Sequence, residues 1–240
     1  MQFFFLILSV CLFIFLYCIY TLSNDDFIFL RRDVTLEKIF NIIFTGSLVS
    51  LFTARLFYGF SYGKTDFLNP FIFALFPYFP GLSLVGAIVG AGAYLVFLKT
   101  RSKNLLPSER IADFISISFL IALPVGFIGI LLFSGGKEML MLGLQALLYF
   151  VLFIIFLNFF LPRLLYKKIK EGTITLLFLI FFALINFVFS ALSAVNPTEC
   201  LRNFENVVLI LIFVVALGLL FKHEQILKII KFGKKKNDKN

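Results

Sequence analysis

The feature that most constrains this chain is a series of seven apolar runs, each long enough to cross a bilayer. A helix needs about 20 mostly apolar residues to span a hydrocarbon core of about 30 Å. The runs cover residues 3–22, 38–60, 81–98, 111–133, 139–162, 173–195 and 206–222. Because backbone groups in lipid must be satisfied within their own segment, such runs predict α-helices. We therefore expect an all-α integral membrane protein, a single bundle of about seven transmembrane helices.

Composition supports this class and excludes a soluble domain. The chain is 61% hydrophobic with a mean hydropathy of +1.03, whereas soluble domains are about 45–50% apolar. The first run lacks the basic segment and cleavage site of a signal peptide, so it is predicted to be a retained span. The third run is short and glycine-rich, and the proline-bounded residues 71–80 before it suit a re-entrant or interfacial piece.

The basic residues predict the orientation of the bundle. Of the 22 Lys and Arg residues, 18 lie in segments after the first, third, fifth and seventh runs, against Lys64, Lys137 and Arg202 in the alternate loops. Since cytoplasmic loops are enriched in Lys and Arg, the N-terminus is predicted outside and the C-terminus in the cytoplasm. The net charge of +9 then reflects topology and contact with anionic headgroups, and no nucleic-acid partner is expected.

The chain shows no internal repeat and no internal domain boundary. We predict one seven-span membrane domain over residues 1–222, followed by a basic cytoplasmic tail over residues 223–240. Cys11, Cys18, Cys200 and the single histidine, His223, lie in different parts of the chain, which argues against a His/Cys metal site in the membrane. No metal and no cofactor is expected.

A few polar residues interrupt the apolar runs. Arg55 is the main anomaly, because an arginine costs about 2.5–3.5 kcal/mol at the centre of a membrane helix and less near its end. It either snorkels to the outer interface or faces the bundle and holds a lipid phosphate, with Tyr58 on nearly the same helix face. Asp113 suits a cap or helix-dipole partner, and Gln145 and Asn186 suit interhelical hydrogen bonds. A place in the lining of a cavity is the alternative for all three.

Other function classes leave little trace in the sequence. Gly86 and Gly90 form a small-xxx-small pair, which is typical of close helix packing. The chain lacks a phosphate-binding P-loop, a Gly-x-Ser-x-Gly elbow and paired carboxylates within a run. A small-molecule transporter is disfavoured as well, because neither a repeat nor an intramembrane charge pair is evident.

Short fragments between residues 45 and 195 follow a known order and spacing. They read ARLFY at 54–58, PGLSLVGAI at 80–88, AD at 112–113, GFIGI at 126–130, GT at 172–173 and INFVFS at 185–190. In this order, and in the number of spans, the chain resembles prolipoprotein diacylglyceryl transferase, a seven-span enzyme of the bacterial cytoplasmic (inner) membrane. The resemblance implies that this chain is likewise a multi-pass protein of that membrane.

The resemblance also implies an activity and partners. Members of that family transfer the diacylglyceryl group of phosphatidylglycerol to the lipobox cysteine thiol of prolipoproteins, so the implied partners are a phospholipid and prolipoprotein signal peptides. It implies a lipid phosphate-binding role for Arg55 and Tyr58. For the fold we expect, in addition, an outward-facing cavity roofed by residues 61–80, with Ser83, Gly86, Asp113, Gln145 and Asn186 as candidate lining residues.

Several motif positions carry different chemistry in this chain. Val85 stands where the family has its histidine, Phe127 and Ile130 replace an arginine and an asparagine, and Asn186 and Ser190 replace an arginine and a glutamate. Apolar side chains cannot stabilise a departing phosphate or accept a proton. We therefore assign no catalytic residue, and a non-catalytic lipid-binding or scaffold protein of the same fold is the alternative function.

Overall fold

The computed structural model describes residues 2–24, 26–32, 34–61, 81–101, 107–132, 138–193 and 203–223. Within these ranges the chain is helical and contains no strand. The predicted re-entrant piece at residues 71–80, the predicted roof beyond Ser61, Cys200 and the tail beyond His223 lie outside the described residues.

Nine α-helices and one π-helical segment make up the described chain. They are α1 (Gln2–Asn24), α2 (Phe27–Arg31), α3 (Leu36–Ser61), α4 (Leu84–Arg101), α5 (Ser108–Leu131), α6 (Glu138–Ile155), the π segment (Phe156–Phe160), α7 (Leu161–Leu165), α8 (Thr173–Ser193) and α9 (Phe204–His223). Seven of the continuous helical stretches are long and apolar enough to cross a membrane. This confirms the predicted all-helical, seven-span class, and each predicted boundary lies within three residues of the observed one.

The outer surface of the bundle is apolar, as a lipid-facing surface should be. Large side chains such as Phe13, Phe44 and Val214 are each more than 60% exposed. Water would penalise such a surface, whereas lipid tails match it. Burial inside the bundle is concentrated on α5, which packs against α1, α6 and α8, while α3 pairs with α4 and α8 with α9.

The fifth span changes its helix type near its end for a local reason. Pro162 lacks a backbone N–H, and in an α-helix its ring would clash with the carbonyl of Asn158. The backbone widens into the π segment over Phe156–Phe160, which ends two residues before the proline. The wider turn lets the span continue through α7 instead of breaking.

Successive spans alternate in direction, so the bundle has two distinct ends. We call the basic end the one where α1 ends and α5 and α8 begin, with residues 26–32, 107–110 and 163–172. At the opposite end α3 finishes at Ser61 and α4 begins at Leu84. The candidate functional residues divide between these two ends and the layer between them.

Candidate functional site

Arg55 lies inside the bundle near the opposite end. Its side chain is only 1% exposed, six residues or about 9 Å along the axis from the last residue of α3. Its Nη1 donates a hydrogen bond to the carbonyl oxygen of Gly81 at 2.9 Å. One position before it, the Ala54 carbonyl accepts from the backbone N–H of Ser83 at 3.0 Å. Arg55 therefore faces the helix bundle rather than snorkelling to the lipid or the outer water.

Tyr58 contacts the same short stretch of backbone. The tyrosine is half-buried one turn after Arg55, and its ring lies directly against Gly81. A Cβ built on Gly81 would come within 2.4 Å of the ring atom Cε1, so a larger residue would displace the tyrosine. The two side chains predicted to hold a lipid phosphate thus both contact Gly81. The guanidinium donates to its carbonyl oxygen, and the phenol ring packs against the glycine itself.

Ser83 and Gly86 lie next to this contact, and both have structural roles there. The Ser83 hydroxyl accepts from the Gly86 backbone N–H at 3.1 Å, as an N-cap does at the start of a helix. Gly86 lets α4 approach α3 closely, because a Cβ at that position would lie 2.5 Å from the Cβ of Phe57. Gly90 packs in the same way against Thr53. The small-xxx-small pattern therefore marks the α3–α4 interface.

Asp113 lies at the basic end, far from this group along the membrane normal. Its side chain is fully buried, and its carboxylate accepts from the backbone N–H of Gly172 at 2.6 Å. It also accepts from the backbone N–H and the hydroxyl of Thr175, both at 2.8 Å. The sequence suggested a cap, and Asp113 is one, but it caps the start of α8 rather than its own helix α5.

Gln145 and Asn186 join α6 to α8 between the two ends. The Gln145 amide donates to Oδ1 of Asn186 at 3.0 Å, and the Asn186 amide donates to the Tyr149 hydroxyl at 2.6 Å. Asn186 also donates to the carbonyl of Phe182 on its own helix at 2.8 Å. These are interhelical hydrogen bonds, the simpler of the two roles that the sequence allowed, and none of them involves α3 or α4.

The structure therefore brings together only some of the predicted site residues. Arg55, Tyr58, Ser83 and Gly86 form one cluster at the α3–α4 junction, which we call the Arg55 cluster. Asp113 belongs to the basic end, and the amide pair belongs to the α6–α8 interface. The described residues do not form a single cavity that all of these side chains line.

Sequence reasoning missed a buried ion-pair network at the basic end. Arg110, which the sequence placed in a loop, lies in the first turn of α5 and is 3% exposed. Its Nε and Nη2 donate to Oδ2 of Asp26 at 2.9 and 2.5 Å, and Nη1 lies 3.7 Å from Oε1 of Glu171. Asp26 uses its other oxygen to cap α2, accepting from the N–H of Ile28 and Phe29.

One sequence signal points toward this network. Arg110 is three residues before Asp113, so the two side chains share a helix face and both enter the bundle. The partners of both residues are distant in sequence, with Asp26 lying 84 positions before Arg110. Among the described residues, no group of three His, Cys, Asp or Glu side chains is arranged to hold a metal ion.

Comparison of the chain with protein-family models, with curated proteins and with solved structures gives no match. The geometry of the Arg55 cluster and of the basic end is therefore the basis for any functional conclusion.

Proposed function

We propose that this chain is a membrane protein that holds the phosphate of an anionic phospholipid at the Arg55 cluster and does not transfer the lipid. The observation that carries this proposal is the buried position of Arg55 inside the bundle near one membrane end. A guanidinium has five N–H donors in a planar fork. It can therefore bond the Gly81 carbonyl and grip a phosphate in the same plane.

The surroundings of Arg55 favour an anionic ligand. The local dielectric inside the bundle is lower than that of water. A buried cation therefore attracts a phosphate more strongly there than it would in water. Phospholipids present phosphates near the ends of membrane helices, in every leaflet. The proposal extends to phosphatidylglycerol as the lipid and to the outer leaflet of a bacterial cytoplasmic membrane, in line with the family resemblance.

The residues at the transferase motif positions support the non-catalytic version. Val85, at the position of the family's histidine, is an apolar side chain buried in the core. Asn186 and Ser190 are hydrogen-bonded between helices, Asn186 with Gln145 and Ser190 with the side-chain amide of Asn206 at 2.8 Å. Side chains that pack or join helices in this way add to stability and supply neither a base nor a phosphate donor.

Lipid binding can be tested on the purified full chain. We would measure retained lipid by native mass spectrometry after reconstitution with phosphatidylglycerol and phosphatidylcholine. Preferential retention of phosphatidylglycerol by the wild-type protein is expected, with loss in Arg55→Gln and partial retention in Arg55→Lys, which keeps the charge without the fork. Arg101→Gln removes an exposed cation elsewhere and serves as the matched control. Equal retention by a folded Arg55→Gln protein would overturn the proposal.

The transferase is a second candidate, favoured by the ordered motif fragments and by Arg55 itself. The assay supplies phosphatidylglycerol and a lipobox peptide and looks for a diacylglyceryl thioether on the cysteine. The non-catalytic proposal expects no product from well-folded protein. Product formation that disappears in Arg55→Ala would instead establish the enzyme, with Arg55 at the reacting lipid.

A further inference from the structure

The basic end contains a cavity that the Arg55 cluster does not explain. It has a volume of about 470 Å³ and lies between α2, the start of α5 and the loop that follows α7. Four cationic residues line it: Arg31, Arg32, Arg110 and Lys167. Of the described lining residues, one is a carboxylate, Glu171. We call this space the basic cavity.

Arg110 forms a fixed cationic wall of the basic cavity. Its guanidinium is held by Asp26, whose side chain is fully buried, and approached by the partly exposed Glu171. It also lies 5.6 Å from the ring centre of Phe114. A side chain with these contacts loses little further freedom when a ligand arrives, so it is preorganised for binding.

Lys167 reaches the basic cavity from an unusual backbone conformation. Its φ of 56° is in the left-handed region, which residues other than glycine rarely adopt. The conformation follows directly on α7, where the Lys167 N–H bonds the Leu164 carbonyl at 3.0 Å and the Lys168 N–H bonds that of Arg163 at 2.8 Å. This is the left-handed position that commonly ends a helix and that glycine usually occupies. Here it places a lysine at a wall formed otherwise by arginines.

The charge balance of the basic cavity determines which ligand suits it. Its lining has three more positive than negative groups, and two more when the buried Asp26 is included. Arg31, Arg32 and Lys167 are exposed, so an incoming ligand can reach them. Concave surfaces with one sign of charge focus the field and concentrate counter-ions.

We propose that the basic cavity binds a phosphate group, presented either by an anionic lipid headgroup or by a small soluble phosphate compound. A phosphate can carry two negative charges and accepts bidentate hydrogen bonds from arginine, which matches the arginine-rich lining. Ile28, Leu164 and Ile169 complete the walls with apolar surface that suits the glycerol and acyl parts of a lipid. Basic pockets between membrane helices are known to hold phosphorylated headgroups on the cytoplasmic side.

Topology alone would not require this arrangement. Orienting charges need only lie in the right loops, close to the ends of the spans. Here the cations come from three separate segments and converge on one cavity. One of them, Arg110, is 97% buried and is paired with carboxylates. That convergence indicates a binding site in addition to an orienting role.

The test uses the full chain in detergent for soluble ligands and in nanodiscs for lipids. Pyrophosphate binding is measured by calorimetry, and retention of phosphatidylglycerol over phosphatidylcholine by native mass spectrometry. Each cation removed from the lining is expected to weaken binding roughly fivefold. The variants are Lys167→Gly and the double change Arg31→Gln with Arg32→Gln. Lipid retention is compared in the Arg55→Gln background, so that lipid at the Arg55 cluster does not contribute. Binding of pyrophosphate by detergent-purified protein identifies a soluble ligand, and phosphatidylglycerol retention in that background that falls with Lys167→Gly identifies a lipid.

Two controls make the result decisive. Lys167→Gly removes the charge but suits the left-handed backbone, so its unfolding temperature should match or exceed that of wild type. Arg101→Gln removes one charge at the same end outside the cavity lining and should leave binding unchanged. Arg55→Gln should leave pyrophosphate binding unchanged, which separates this site from the proposed function. Equal weakening by Arg101→Gln and Lys167→Gly, or no binding of either probe, would overturn the proposal.

Discussion

Two of the arginines that the structure describes are buried inside the bundle, and their surroundings differ. Arg110 at the basic end is held by carboxylates from two other segments, Asp26 and Glu171. Arg55 at the other end donates to the backbone carbonyl of Gly81, beside the ring of Tyr58. Both guanidinium groups are almost completely buried.

The difference shows two ways of placing a cation inside a membrane bundle. Around Arg110 the negative charge is built into the chain, so much of the guanidinium's charge is neutralised within the protein. Around Arg55 the observed hydrogen bond is to the backbone carbonyl of Gly81, which orients the guanidinium. The first arrangement is expected to contribute to folding while it fixes a guanidinium at the wall of the basic cavity, and the second is the one on which the proposed lipid site depends.

The comparison predicts its largest effect at the Arg110–Asp26 pair. Arg110→Gln leaves the buried Asp26 carboxylate without its cation, and the loss of unfolding free energy should be about 3–5 kcal/mol. Asp26→Asn should act similarly and should also weaken the cap of α2. Unfolding by denaturing detergent, followed by circular dichroism, provides the measurement. If the two changes are additive in the double variant, the pair is not coupled and this account of the basic end is wrong.

The next effect is expected at the Asp113 cap. Asp113→Ala leaves three donors of Gly172 and Thr175 without an acceptor, at a cost of about 1–3 kcal/mol. Hydrogen exchange of the peptide containing the first turn of α8 should accelerate. Asp113→Asn keeps one acceptor oxygen and should show a smaller change. Unaltered exchange in the alanine variant would mean that Asp113 does not hold α8 at the basic end.

The opposite end should respond to packing rather than to charge. Gly86→Ala pushes a methyl group into Phe57 and the Thr53 carbonyl, and the strain exceeds the gain in helix propensity by about 1–2 kcal/mol. Gly92→Ala is the matched control, because nothing lies within 4 Å of a Cβ built there. The control should be neutral or slightly stabilising in the same unfolding measurement. Similar losses in both variants would argue against close α3–α4 packing.

The smallest effect is expected between the two ends, at the amide pair. Gln145→Leu removes its hydrogen bond to Asn186, and such interhelical bonds average about 0.6 kcal/mol in membrane proteins. Asn186→Leu should cost more, since Asn186 also bonds Tyr149. If Gln145→Leu lowered the free energy of unfolding as much as Arg110→Gln does, the amide contact would be as important for stability as the buried ion pair, contrary to this prediction.

The sequence was sufficient for the architecture because span length depends on a local property. A run of about 20 apolar residues meets the thickness of the bilayer wherever it occurs, so hydropathy alone located all seven helices. The sequence also predicted the close helix packing at Gly86, because small residues spaced by four predict a helix-packing face. Both inferences need only neighbouring residues.

The candidate site was harder to predict because its contacts are distant in sequence. Asp113 bonds Gly172 across 59 positions, and nothing near Asp113 specifies that partner. Arg110 was assigned to a loop since it precedes the apolar run, although its carboxylate partners allow it to enter the bundle. Among the described residues, Asp113 and Gln145 lie at other levels of the bundle than Arg55, because order along the chain does not determine depth in the membrane.

The π segment before Pro162 has a consequence for the rotational setting of everything after it. Each residue of an α-helix turns the backbone by about 100°, so the additional residue taken up by the wide turn rotates Leu164 onto the core side and directs Arg163 over the Phe159 ring. Insertion or deletion of one residue within Phe156–Phe160 would rotate the end of this span, and Lys167 with it, about the helix axis. The geometry of the basic cavity thus depends on an irregular turn within the fifth span.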